Sequence, residues 1–84
     1  MSDGAALLSR PDCPLCDEFL EELAHAFPDL AADVRIADVD SREDWRRLYG
    51  RRIPVLLAAD GTVLGEGIFD AAALGARLGR PARG

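Results

Sequence analysis

A small α/β fold is what this chain predicts: a βαβ unit, a short helix, a β-hairpin and a closing helix, built on a four-stranded mixed sheet. Three observations carry that expectation. The apolar run Ala5-Ala6-Leu7-Leu8 reads as a short buried strand, and Cys13-Pro14-Leu15-Cys16 leads from it into a segment with helical spacing of apolar residues. A second strand, Val34-Arg35-Ile36-Ala37-Asp38-Val39, follows at a separation that suits a helical crossover, so the two strands are expected to be parallel. Further on, Val55-Leu56-Leu57-Ala58-Ala59 and Thr62-Val63-Leu64 flank Asp60-Gly61, a strong hairpin signal, and must be antiparallel. Eighty-four residues suffice for one domain, 1–84, without a second lobe.

The first helix is expected from about Pro14 to Phe27. Pro14 suits the first turn, where its missing N–H has no partner to lose, and Leu15, Phe19, Leu20, Leu23 and Phe27 form the inward stripe. Asp17, Glu18, Glu21 and Glu22 take the outer side; His25 reads as a solvated residue near the negative end of the helix dipole, with no catalytic role. Pro28-Asp29 should stop the helix. Ser41 followed by Asp44 has the spacing of a capped helix start, with Trp45, Leu48 and Tyr49 as its buried positions and Gly50 as its end. Arg46, Arg47, Arg51 and Arg52 form a basic patch, read either as a solvated helix face or as an anion site. After the hairpin, Gly65-Glu66-Gly67 loosens the chain. Asp70 is a good N-cap for a last helix whose Ala71, Leu74 and Leu78 face inward until Gly79 and Pro81 end it, and the tail from Ala82 to Gly84 is expected to fray.

The chemistry rests on the cysteines. Cys13 falls at the cap of the first helix, where free N–H groups and the positive end of the dipole favour a thiolate, so it is the expected nucleophile. Cys16, one turn on, is the expected resolving thiol, able to attack a mixed disulfide on Cys13. Two other readings compete: an inert pair of small apolar side chains, or half of a zinc site. Zinc needs four ligands, and His25 is the only further soft donor, so no metal is expected. Asp12, Asp17 and Glu18 oppose the helix terminus against Arg10 alone, which predicts a thiol pKa nearer about 7 than about 3.5, hence a reductant.

The composition narrows the function further. Hydrophobic residues make up 49% and charged ones 30%, which is globular, and a net charge of −5 argues against nucleic acid as partner. Met1-Ser2-Asp3-Gly4 carries no basic segment and the apolar run behind it is too short for a leader or membrane span, so no membrane contact and a cytoplasmic location are expected. In that compartment a cysteine pair reads as catalytic or redox-sensing.

Ser9-Arg10-Pro11-Asp12-Cys13-Pro14-Leu15-Cys16, Arg52-Ile53-Pro54 and the element order together resemble the glutaredoxins and short bacterial glutaredoxin-like proteins of the thioredoxin superfamily, over nearly the whole chain. The resemblance implies a thioredoxin-like fold and thiol–disulfide oxidoreductase activity. It also implies a cis Ile53–Pro54 bond, with Pro54 shaping the substrate edge and Ile53 offering strand-like hydrogen bonds beside Cys13. Arg10, Arg52 and the backbone at Asp70-Ala71 would be the substrate-binding groups, the donors a dicarboxylate such as glutathione needs. Leu15 stands where the family has tyrosine, and Gly65-Glu66-Gly67-Ile68-Phe69-Asp70 only loosely matches its glycine pair. A protein disulfide is therefore the favoured substrate, with a reductase or glutathione as reductant, no bound cofactor and a monomeric state. The alternative is a binding or redox-sensing module without turnover.

Overall fold

The computed structural model describes residues 4–82. The expectations placed on Met1 to Asp3, and on Arg83 and Gly84 in the tail, concern residues outside that range. In chain order the elements are β1 (Ala6–Ser9), α1 (Pro14–Ala26), α2 (Pro28–Asp33), β2 (Arg35–Asp38), a 3-10 turn (Val39–Ser41), α3 (Glu43–Tyr49), β3 (Val55–Leu57), β4 (Val63–Glu66) and α4 (Ala71–Leu78). The mixed sheet has the order β2-β1-β3-β4, with β1 parallel to β2 and the other two pairings antiparallel.

Ala6, Leu7 and Leu8 of β1 are apolar and buried because both faces of the strand are covered. Leu7, with Ala5, Leu56, Phe19, Leu23, Phe27, Leu30 and Leu74, packs on the side of α1, α2 and α4. Leu8, its neighbour in sequence, points the other way and joins Val39, Val55 and Leu57, against which Trp45 and Tyr49 of α3 lie. The strands β1 and β3 thus form the middle of the molecule, while β2 is an edge whose Ile36 is 54% exposed.

Several local expectations need correction. Pro28 does not leave a loop behind it: it is the first residue of α2, since a proline that cannot continue one helix is well suited to begin the next. Phe27, at φ −137° and ψ 70°, makes the break, and its carbonyl accepts the Ala31 N–H at 2.9 Å. Along α1 the buried stripe is Cys16, Phe19, Leu23 and Ala26, and Leu15 is 39% exposed. Ser41 does not cap α3. It ends the 3-10 turn, donating its hydroxyl to the Asp38 carbonyl, and Asp38 caps that turn by accepting the Asp40 N–H at 2.8 Å. No α3 residue is fully buried, and Leu48 is 51% exposed, because α3 meets the core mainly through Trp45 and Tyr49.

The hairpin is also wider than Asp60-Gly61 by itself suggests. Gly61 donates its N–H to the Ala58 carbonyl and Ala58 donates to that of Thr62, leaving Ala59, Asp60 and Gly61 as the loop. Gly61, at φ +89°, supplies the left-handed residue such a three-residue loop requires. β4 then runs on to Glu66, its register slipping between Leu56 and Leu57. Asp70 caps α4 as expected, accepting the Ala73 N–H at 3.1 Å, and Gly79 ends it at φ 73°, the left-handed cap.

Among the described residues, Arg10–Asp40, Arg52–Glu66 and Arg80–Asp29 are exposed ion pairs between distant parts of the chain, and Arg42–Asp44 is a local one at the start of α3. Hydrogen bonding to its arginine is the main reason each of these carboxyls is held below its ordinary pKa, and the Thr62 backbone N–H does the same for Asp60. A depressed folded-state pKa contributes stability above the unfolded value that is lost as pH falls through the folded one. The urea midpoint should therefore hold from neutrality to about pH 5 and fall below about pH 4, with a smaller fall at high salt. A midpoint rising on acidification would contradict this.

Candidate active site

Cys13 occupies the N-cap of α1 with extended backbone, φ −108° and ψ 96°. Its sulfur accepts the Cys16 N–H at 3.2 Å and its carbonyl accepts the Asp17 N–H at 3.1 Å. Pro14 at the first helical position removes a donor that would have had no acceptor, and the Cys16 N–H is the cap donor directed at the sulfur. The turn into the cap passes through Asp12, at φ 60°, a left-handed conformation aspartate tolerates better than most residues.

Cys13 and Cys16 are joined in a disulfide with Cα atoms 5.2 Å apart. Their exposures differ: Cys13 is half-buried, whereas Cys16 is 4% exposed and belongs to the buried stripe of α1. An external thiol or disulfide therefore meets Cys13 first. Among the described residues no three histidine, cysteine or acidic side chains gather in a way that could hold a metal.

Sheet register decides what else lies at this end of the molecule. Ser9, the last residue of β1, is level with Asp38 of β2, Leu8 pairs with Val55, and Val55 pairs with Glu66. The exit of β1, the 3-10 turn, the entrance of β3 and the exit of β4 therefore meet at one end of the sheet. The Ile53–Pro54 bond, just before β3, is cis, as the sequence comparison implied. Pro54 is buried and its carbonyl accepts the Gly67 N–H at 2.8 Å; Ile53 is half-buried against the α3 side of the core.

Both arginines proposed from sequence lie at this end, and both have protein partners. Arg10 donates through Nε and Nη2 to the two carboxylate oxygens of Asp40, at 2.8 and 3.0 Å, and through Nη1 to the Gly50 carbonyl at 2.7 Å. Arg52 donates to both oxygens of Glu66 and lies 5.2 Å from the centre of the Tyr49 ring. Hydrogen bonding to Asp40 raises the Arg10 pKa above its usual value, and hydrogen bonding to Glu66 does the same for Arg52, so both pairs are ionised at neutral pH. The pairing of Arg10 with Asp40 and Gly50 is not part of the sequence reading. Gly50 was read only as a helix terminator, yet it has φ −55° and needs no left-handed freedom; a Cβ there would stand 2.5 Å from the Arg46 carbonyl oxygen and 3.1 Å from Nη2 of Arg10. Its missing side chain is the signal.

Asp70 lies farther along. It caps α4 and lines a cleft of about 300 Å³ with Phe19, Glu66, Ile68 and Phe69, the two phenylalanine rings meeting edge-on at 5.2 Å. Neither cysteine lines that cleft. His25 is exposed on the outer side of α1, as expected, and Ile68 at 79% and Leu15 at 39% are the exposed large apolar side chains nearest in sequence to the two helix caps.

The glutaredoxin-like domain family (DUF836) matches residues 5–79. Solved structures similar to the chain include the following two. The protein XcR50 from X. campestris is 34% identical, with 90% of this chain and 96% of that one covered at a TM-score of 0.71. Protein Ne2328 from Nitrosomonas europaea is 26% identical, with 92% of each chain covered at a TM-score of 0.77. No curated protein matches the chain.

Proposed function

Since the chain belongs to the glutaredoxin-like domain family (DUF836), with a thioredoxin-like fold and a cysteine pair at disulfide distance, we propose that it is a thiol–disulfide oxidoreductase working through both cysteines. The observation that carries this reading is the unequal exposure of the pair: Cys13 reachable at a helix cap, Cys16 buried one turn behind it. The Cys13 thiolate attacks one sulfur of a substrate disulfide, forming a mixed disulfide and expelling the other sulfur as a thiolate. Cys16 then attacks the Cys13 sulfur, releases the second substrate thiolate and closes the Cys13–Cys16 bond. Two electrons pass to the substrate, and the protons given up by the two cysteines balance those its thiolates take up.

A protein disulfide is the favoured substrate. The cationic groups that would hold the carboxylates of glutathione, Arg10 and Arg52, are already engaged by Asp40 and Glu66, which weakens them as anion anchors. Glutathione, or a dithiol reductase, is proposed as the reductant that reopens the disulfide, in the cytoplasm, where thiols are kept reduced. No helix among the described residues is long and apolar enough to cross a membrane, and the protein is proposed to act as a monomer.

The test is a stoichiometric one. Reduced protein mixed with excess protein disulfide should lose two free thiols per molecule, form the intramolecular bond seen by mass spectrometry, and release two substrate thiols. Reversible oxidation of the pair with no reduction of any disulfide substrate would leave the redox-sensing module instead.

A further inference from the structure

We propose that Arg10 is a positioning residue: clamped between Asp40 and the Gly50 carbonyl, it fixes the short segment that delivers Cys13 to the cap of α1, and it does not serve as an anion anchor. The proposal rests on the oxidoreductase reading and assigns this arginine a different job within it. Three hydrogen bonds of 2.7 to 3.0 Å use all three guanidinium nitrogens, two of them in the parallel fork that only arginine makes with a carboxylate. The partners come from distant parts of the chain: Asp40 from the 3-10 turn after β2, Gly50 from the end of α3. Arg10 itself lies between the last residue of β1 and Asp12, whose φ of 60° gives the chain its turn into Cys13. Such a turn persists only when its surroundings hold it. A Cβ at Gly50 would stand 3.1 Å from Nη2 of Arg10, although its hardest clash, at 2.5 Å, is with the Arg46 carbonyl oxygen.

A clamp, a charge and an anchor make different predictions about the same substitutions. If Arg10 acted by its field, Arg10→Gln would raise the pH midpoint for alkylation of Cys13 and Asp40→Asn, which removes a negative charge, would lower it. If Arg10 anchored an anionic substrate, Asp40→Asn would free it and speed reaction with oxidised glutathione. A clamp requires both partners. Both substitutions should then raise the midpoint and each should slow exchange with the neutral probe 2-hydroxyethyl disulfide about fivefold, with the double variant no worse than either single one. Arg10→Lys, which keeps the charge and loses the fork, should fail to restore the rate.

The experiment measures iodoacetamide alkylation of reduced Cys13 against pH in wild type, Arg10→Gln, Arg10→Lys, Asp40→Asn and Arg10→Gln/Asp40→Asn, each shown folded by its urea midpoint, together with exchange rates for the two disulfides. Shifts in the same direction, non-additive and not rescued by lysine, support the clamp. Opposite shifts, additive losses, rescue by lysine, or faster reaction of Asp40→Asn with oxidised glutathione would each overturn it. If Arg10→Gln does not fold, the direction of the Asp40→Asn shift decides by itself. Alkylation needs no turnover, so a wild type inactive on every disulfide would sink the proposed function and still leave the clamp to be judged.

Discussion

Cys13→Ser is expected to reduce disulfide exchange to background, whereas Cys16→Ser should still react once and then stop as a covalent adduct with the substrate. The asymmetry follows from the cap. The Cys13 sulfur is half-buried and accepts the Cys16 N–H at 3.2 Å, so a developing thiolate there gains a backbone donor and the positive end of α1. Cys16, 4% exposed, is out of reach of a bulky disulfide, but its partner sulfur is already at bonding distance, so it can only resolve what Cys13 has captured. Trapping with a disulfide-bonded protein, read on a non-reducing gel and by intact mass, checks this. An adduct accumulating on Cys16 in the Cys13→Ser protein, at a rate comparable with the reverse case, would undo the assignment of nucleophile and resolving thiol.

Leu23→Ala should be among the most costly of simple substitutions outside the cysteines. Leu23 is fully buried and lies in the cluster where α1 meets the sheet, among Leu7, Phe19, Phe27 and Leu56. Truncating a leucine in such a place costs about 3 kcal/mol, the lost transfer energy plus the cavity left behind. A chain of this size has roughly 4 to 12 kcal/mol in all, so the loss is a large fraction of the total and should lower the melting temperature by more than about 10 °C. Leu48→Ala is the matched control. Also a leucine on a helix, it is 51% exposed, and its truncation should stay within about 0.5 kcal/mol. Paired urea titrations measure both, and equal losses would show that the sheet face under α1 is not where the stability resides.

Local chemistry made much of this protein legible in its sequence. The proline after Cys13, the acidic cap at Asp70 and the glycine after Leu78 act over a few residues, and each is found in the role its neighbours dictated. The four-stranded mixed sheet was legible for the same reason, since short apolar runs at β1 and β3 bounded by turn residues suit strands buried on both faces. What failed locally failed where two local rules competed. Pro28 can end one helix or begin another, and only the packing of Leu30 into the cluster beneath α1 chose the second. Trp45, Leu48 and Tyr49 share a helical pattern, but how deeply each one sinks is set by the tertiary packing: Trp45 and Tyr49 lie against the core and Leu48 is 51% exposed.

The site divides along the same line. The cysteine pair at the head of α1 was readable because both residues lie within one turn of one helix. The partners of Arg10 were not, because Asp40 and Gly50 reach it only through the parallel register of β1 on β2 and the placement of α3 beneath the sheet. Arg52 and Glu66 meet likewise because Val55 is level with Glu66. Sequence by itself determined where the cysteine pair sits on its helix; the tertiary structure decided which charges are already spent on one another. Register is a property of two strands together, so no pattern within either strand could contain it.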